Sequence, residues 1–160
     1  MGIRNIRVND DPILKKTSRP VEVFDDRLFT LLDDMHDTLI KADGCGLAAV
    51  QVGVLKRVVI VDVGDGLIEL INPEIIETSG EQYEVEGCLS LPGKSGITKR
   101  PMTVKVKAQD RTGKWCQYKG EGLKARAFCH ELDHLDGHLY TERLAPEEVI
   151  KRIQEETETE

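Results

Sequence analysis

The chain has no apolar run that could cross a membrane. Its longest, Val58-Val59-Ile60-Val61 and Gly46-Leu47-Ala48-Ala49-Val50, fall far short of the roughly 20 residues that a spanning helix needs. No signal-peptide pattern opens it, because Arg4 and Arg7 are followed by Asn9, Asp10 and Asp11 without a hydrophobic stretch. Gly2 is present, but Ile6 stands where a myristoylation signal wants Ser or Thr. The protein is therefore expected in the cytoplasm, with no membrane partner. The four cysteines, Cys45, Cys88, Cys116 and Cys129, include no C-x-x-C pair. Without a secretory signal, free thiols or a metal thiolate are favoured over two disulfides. Positive charge is also short: 22 Lys and Arg face 29 Asp and Glu, for a net charge of −7. Direct nucleic-acid binding, which needs clustered cations, is disfavoured. A local basic strip at Lys94, Lys99, Arg100, Lys105 and Lys107 reads as a solvated strand edge.

What remains is an ordinary globular composition, 39% apolar and 32% charged over 160 residues, enough for one buried core. No repeat or low-complexity linker divides it, so residues 1–160 read as a single domain. Leu28, Leu31, Leu32, Met35 and Leu39 recur at helical spacing, with Asp25 as N-cap and Gly44 as stop, predicting a helix over 26–42. Lys56–Asp62 and Leu67–Asn72 read as strands of a hairpin turning at Gly64-Asp65-Gly66, the second ending at Asn72-Pro73. Val104, Val106 and Ala108 alternate with Lys105 and Lys107, a half-buried strand over Thr103–Gln109. The turn Asp110–Gly113 leads to a partner around Trp115–Lys119. A second helix is predicted from Gly122 to Asp136, and a short third from Pro146, with Glu147 and Glu148 suiting its dipole. The tail 155–160 is expected to fray. Grouped strands packed on helices predict an α+β domain.

The segment richest in chemistry is His130-Glu131-Leu132-Asp133-His134. Residues four apart share a helix face, so both imidazoles can grip one ion, with Glu131 at the flank near water bound to it. The same pattern arises by chance in ordinary helices, but here the helix is apolar. Two histidines leave a catalytic ion short of a third protein ligand, and Cys88, Cys45, Glu86, Asp136 and His138 are all candidates. Cys88 lies in the extended segment Glu86-Gly87-Cys88-Leu89-Ser90-Leu91-Pro92, from which a thiolate could face the helix. A cysteine in such a segment is otherwise a small core residue.

Three blocks, Gly44-Cys45-Gly46-Leu47-Ala48-Ala49-Val50-Gln51, Glu86-Gly87-Cys88-Leu89-Ser90 and His130-Glu131-Leu132-Asp133-His134, together resemble the signature blocks of peptide deformylases, in the family's order and with similar intervals. Asp11-Pro12-Ile13-Leu14 and His134-Leu135-Asp136-Gly137 extend the resemblance over nearly the whole chain. It implies mixed, largely antiparallel strands wrapped around a central helix bearing the histidines, with an N-terminal and a short C-terminal helix. It implies Cys88, His130 and His134 as ligands of one divalent metal, with Fe(II) favoured and zinc, nickel or cobalt as alternatives. Glu131 would be the acid/base, and Gln51 with the Leu89 N–H the oxyanion donors. Gly46, Cys45 and Gly87 would line the substrate. The implied reaction removes the formyl group from an N-formylated peptide or nascent chain, typically one beginning with formyl-methionine, and releases formate.

The chain also departs from the family's usual pattern. Val50 stands where many members have Pro, Cys129 where many have Gln, Cys45 where a larger aliphatic is common, and Ser95 where some carry Arg. Cys129 adjoins His130 and would offer an oxidation-sensitive thiol. In some bacterial relatives a basic C-terminal helix docks on the ribosome. Here the last residues are acidic, which speaks against that route, although the ribosome stays among the partners that the resemblance implies. Two other readings of the motif stand beside the deformylase: a zincin-like peptidase, and a binding module in which the ion only staples the fold.

Overall fold

The computed structural model describes residues 2–158, in which one helix precedes a run of seven strands and two helices follow it. Helix α1 spans Asp26–Ala42, capped by the Asp25 side chain accepting from the Leu28 N–H and closed by Asp43 in the left-handed region. Leu28, Leu31, Leu32, Met35 and Leu39 are all buried on one face. Each such side chain contributes about 1.5–3 kcal/mol, against about 1 kcal/mol for a cap, so packing decides that this segment is helical.

The strands are β1 (Gly46–Ala48), β2 (Val58–Val61), β3 (Ile68–Ser79), β4 (Gln82–Cys88), β5 (Leu91–Arg100), β6 (Thr103–Gln109) and β7 (Trp115–Glu121). They form an antiparallel five-stranded sheet in the order β1-β2-β3-β6-β7 and a separate β4–β5 hairpin. Helix α2 (Leu123–Leu135) and helix α3 (Glu147–Glu158) complete the chain. Helix α1 packs on one face of the large sheet, where it meets Val58, Ile60 and Ile71. On the other face α2 buries Phe128 and Leu135 against Val59, Val61, Val104 and Val106. Strand β2 is covered on both faces, which is why all four of its residues are apolar and buried. The β4–β5 hairpin lies against α2 from its other side, so the metal-motif helix is enclosed by strands, as the family resemblance implies.

Three readings of the sequence need correction. Strand β3 does not end at Asn72-Pro73 but passes through it to Ser79, with a break in register between Ile71 and Glu74. Asn72 takes φ 51° there, and its side chain holds the bulge together. Its Oδ1 accepts from the Val21 N–H at 2.8 Å, while its Nδ2 donates to Val21 O and Gln109 Oε1. Arg100 is not on a solvated edge: it is 4% exposed and ion-paired. Cys129 is buried in the core, and burial pushes its thiol up to about 11, so it is not an accessible oxidation-sensitive group. Helix α3 continues to Glu158, and of the tail expected to fray, residues 159–160 lie outside the described residues. No helix is long and apolar enough to cross a membrane among the described residues.

Candidate metal centre

Helix α2 presents His130 and His134 one turn apart on the face toward the β4–β5 hairpin, and Cys88 meets them from the end of β4. One donor atom from each of the three lies within 4.8 Å of the others. Cys88 Sγ stands 3.3 Å from His134 Nε2, and the two imidazole rings are edge-to-face with centroids 5.0 Å apart. His134 is fully buried, and burial with the charges of His130 and Arg100 lowers it to about 3. It is thus neutral, the state in which a ring nitrogen can bind a metal.

The donor set fits a divalent ion. One thiolate and two imidazoles are borderline-soft ligands suited to zinc, iron, nickel or cobalt. Among the described residues the cluster holds three donors and not four, so an ion there would keep coordination sites for water or substrate. The other candidate ligands lie elsewhere or are engaged. Cys45 lines the pocket outside the cluster. Asp136 pairs with Arg57 at 2.9 Å, and His138 with Glu142 at 3.2 Å.

Glu86 is the fourth group at the centre, and its role is to hold a ligand. Its Oε2 lies 2.6 Å from His130 Nδ1, leaving the other ring nitrogen to the cluster. Arg100 grips the same carboxylate through Nε at 3.2 Å and Nη2 at 2.7 Å, and Thr98 donates to it at 3.0 Å. Burial alone would raise the Glu86 carboxyl, but His130 and Arg100 overcome it and hold it down at about 2. Arg100 also reaches Asp133 at 2.6 Å, and Arg143 clasps Asp133 from outside. Hairpin pairing makes this possible, since Glu84 opposite Thr98 and Gln82 opposite Arg100 put Glu86, Thr98 and Arg100 on one face.

Glu131 is 4% exposed and its Oε1 has no hydrogen-bond partner. Burial, reinforced by the charges of Glu86 and Asp133 and opposed by His130 and Arg100, lifts its carboxyl to about 7. Gly46 makes room for it, because a Cβ at residue 46 would lie 2.6 Å from Glu131 Oε2. Gly87 is less constrained, with only Lys94 O within 3.5 Å of such a Cβ.

Gln51 sits in the short turn after β1. Its Oε1 accepts from the Ala48 N–H at 2.9 Å, and its Nε2 donates to Ser90 Oγ at 3.0 Å, pointing the amide toward Cys88 Sγ, 3.7 Å away. The Leu89 N–H, in the two-residue turn between β4 and β5, has no partner among the described residues. Backbone bonds from Arg7 N to Gln51 O and from Asn9 N to Ser90 O tie both blocks to the N-terminal segment. These groups surround a pocket of about 470 Å³, whose apolar wall includes Val85, Leu89, Pro92, Leu123 and Ala127.

The structure therefore brings together Cys88, His130, His134, Glu131, Gln51 and Leu89, with Gly46, Cys45 and Gly87 in the same pocket wall. Sequence reasoning gave no part to Arg100, Asp133, Ser90 or Arg126. Asp133 and Ser90 lie inside the recognised blocks, which is the one signal that could have singled them out.

Comparison with known proteins places the whole chain in one family. Residues 3–149 match the family model described as Polypeptide deformylase. The chain is 57% identical to a peptide deformylase of Alkaliphilus metalliredigens over 147 residues, covering 92% of this chain and 100% of the relative. It is 58% identical to that of Lachnoclostridium phytofermentans, covering 99% and 100%. The crystal structure of the Thermotoga maritima peptide deformylase superposes with a TM-score of 0.89 at 41% identity, covering 91% of this chain and 100% of that one. An actinonin-bound class I type b peptide deformylase from Acinetobacter baumannii gives 0.86 at 36% identity, covering 91% and 100%.

Proposed function

This chain belongs to the polypeptide deformylase family, whose members hydrolyse the N-formyl group from newly made polypeptides, and we propose that it does so with Cys88, His130 and His134 holding one metal ion and Glu131 carrying the proton. The observation that carries this assignment is the buried Glu131 carboxyl, with one oxygen unpartnered, beside three converging donors at the base of the pocket. The ion, when bound, acidifies water and polarises the formyl carbonyl.

The residues supply the rest. Glu131, near pKa 7, accepts a proton from the attacking water at its free Oε1 and returns it to the leaving amine. Gln51 Nε2 gives one N–H to Ser90 Oγ and directs the other at Cys88 Sγ, so this second N–H lies beside the proposed metal position, where with the Leu89 N–H it donates to the developing oxyanion. The Ala48 and Ser90 contacts fix the Gln51 amide, so little reorganisation is needed as charge develops. Strand β1 pairs only with β2, and β4 only with β5, so each leaves one edge unpaired within its sheet. Gly44–Gly46 and Val85–Leu89 both line one pocket. An extended substrate backbone can pair with these edges while an apolar first side chain, such as methionine, enters the pocket.

Iron(II) is the native metal that the family resemblance favours. The net charge of −7 and the acidic α3 fit a cytoplasmic enzyme that meets nascent chains without a basic ribosome-docking helix, direct nucleic-acid contact or a membrane.

The test is formate release from formyl-Met-Ala-Ser by anaerobically purified protein with its metal quantified. Turnover with about one metal per chain, with both lost in Cys88→Ala, supports the assignment. A fully metallated, folded sample that releases no formate overturns it.

A further inference from the structure

One charged side chain in the pocket wall has no protein partner. Arg126 is half-buried on α2 and is the only Lys or Arg among the residues lining the pocket. Its guanidinium makes no hydrogen bond or ion pair with any described residue. The arginines around it behave differently: Arg100 is held by Glu86 and Asp133, and Arg143 by Asp133. In a chain with 29 Asp and Glu, a half-buried arginine left unpaired at a binding site is available to a ligand carboxylate.

Helix geometry places it. Arg126 precedes His130 by four residues and shares its face with Leu123 and His130, so it stands one turn, about 5.4 Å along the helix, from His130 in the pocket lining. Leu123, the first residue of α2, lines the same pocket, so the positive end of the helix dipole borders it as well. Arg126 and Cys45 line the same pocket from different elements.

We infer that Arg126 is a specificity-determining residue that binds an acidic side chain at the second or third residue of the formylated polypeptide. An extended chain advances about 3.3 Å per residue, so these two positions bracket the one-turn offset between Arg126 and His130. Alternation of side chains gives the contact to one of them. A basic side chain at that position is disfavoured by the same charge. The inference rests on the deformylase reading of the site.

The experiment measures kcat/KM for C-terminally amidated formyl-Met peptides with Asp, Ala or Lys at position two or three, using metal-quantified protein. Wild type is expected to prefer Asp over Lys at one position by about three- to tenfold, mainly through KM and less so at high salt. Arg126→Glu should reverse the order, Arg126→Ala should level it, and Arg126→Lys should restore part of it. Equal Asp-to-Lys ratios at both positions in wild type, or a ratio unchanged in Arg126→Ala, overturn the inference. Each ratio is taken against the Ala peptide on the same protein, so a general loss of turnover does not mimic a loss of charge selectivity. If wild type turns over no formyl peptide at all, the deformylase reading fails instead.

Discussion

Glu86 Oε2 stands 2.6 Å from His130 Nδ1, and this contact decides which ring nitrogen is left for a metal. Outer-shell carboxylates of this kind fix the tautomer and orientation of a histidine ligand, and their loss weakens metal binding about 10- to 100-fold. Glu86→Gln keeps the shape but loses the charge, so its affinity in a chelator competition should fall within that range. An unchanged affinity would mean that the helix alone orients His130.

Arg100 is the counterpart of the same network. It is buried with Glu86 on one side and Asp133 on the other, so Arg100→Met would leave the buried Glu86 carboxylate without its guanidinium and Asp133 with Arg143 alone. Breaking a buried pair by removing one partner costs about 3–5 kcal/mol. Denaturant unfolding of the metal-free protein should show a loss of that order. A loss below about 1 kcal/mol would show that Thr98, His130 and Arg143 suffice to hold the carboxylates.

How much of this arrangement the sequence shows depends on how local its causes are. Helix α1 is legible because five apolar residues and an Asp25 cap lie within one short window, and β6 because its alternation is uninterrupted. The passage of β3 through Asn72-Pro73 is not, since that pair reads as a turn. The side chains that convert it to a bulge, Gln109 and the Val21 backbone, lie 37 and 51 residues away. Arg100 fails for the same reason: among neighbouring lysines it looks solvated, and its partners Glu86 and Asp133 are 14 and 33 residues distant. The candidate metal ligands are legible in two of the three blocks, yet only the fold shows that Glu86 supports His130 and does not itself join the cluster.

Gly46 leaves room for Glu131, the residue to which the proposed mechanism gives the proton. The Cβ of Gly46→Ala would meet Glu131 Oε2 at 2.6 Å and Glu131 Cγ at 2.8 Å, contacts that must be relieved by moving the carboxylate. The expected result is a large fall in kcat with metal content retained, together with a stability loss of about 1–3 kcal/mol from overpacking. Gly87→Ala, with only Lys94 O near it at 3.5 Å, should leave stability unchanged. Comparable thermal shifts in the two variants would show that the Glu131 contact is not what requires the glycine.

The cysteines separate by environment. Cys129 is packed in the core and pushed up to about 11 by burial, whereas Cys45 is exposed. Brief iodoacetamide treatment at neutral pH, followed by mass spectrometry, should label Cys45 well before Cys129, which should react only on unfolding. Early labelling of Cys129 would mean that α2 opens locally next to His130.

The proposed oxyanion donors make the most demanding prediction, because two variants must fall in a fixed order. Gln51 has its amide oxygen on Ala48 N and its nitrogen on Ser90 Oγ, so the side chain cannot rotate without losing both. Gln51→Leu removes the donor itself and should lower kcat by about 10²–10³-fold with little change in KM, as for loss of one oxyanion-hole group. Ser90→Ala leaves the donor in place and removes only one of its two restraints, so its kcat should fall by less, roughly tenfold. The double variant should be no worse than Gln51→Leu alone, since Ser90 acts on the oxyanion only through Gln51. If the two losses instead add in free energy, Ser90 has a role of its own at the reacting centre and the donor assignment must be redrawn.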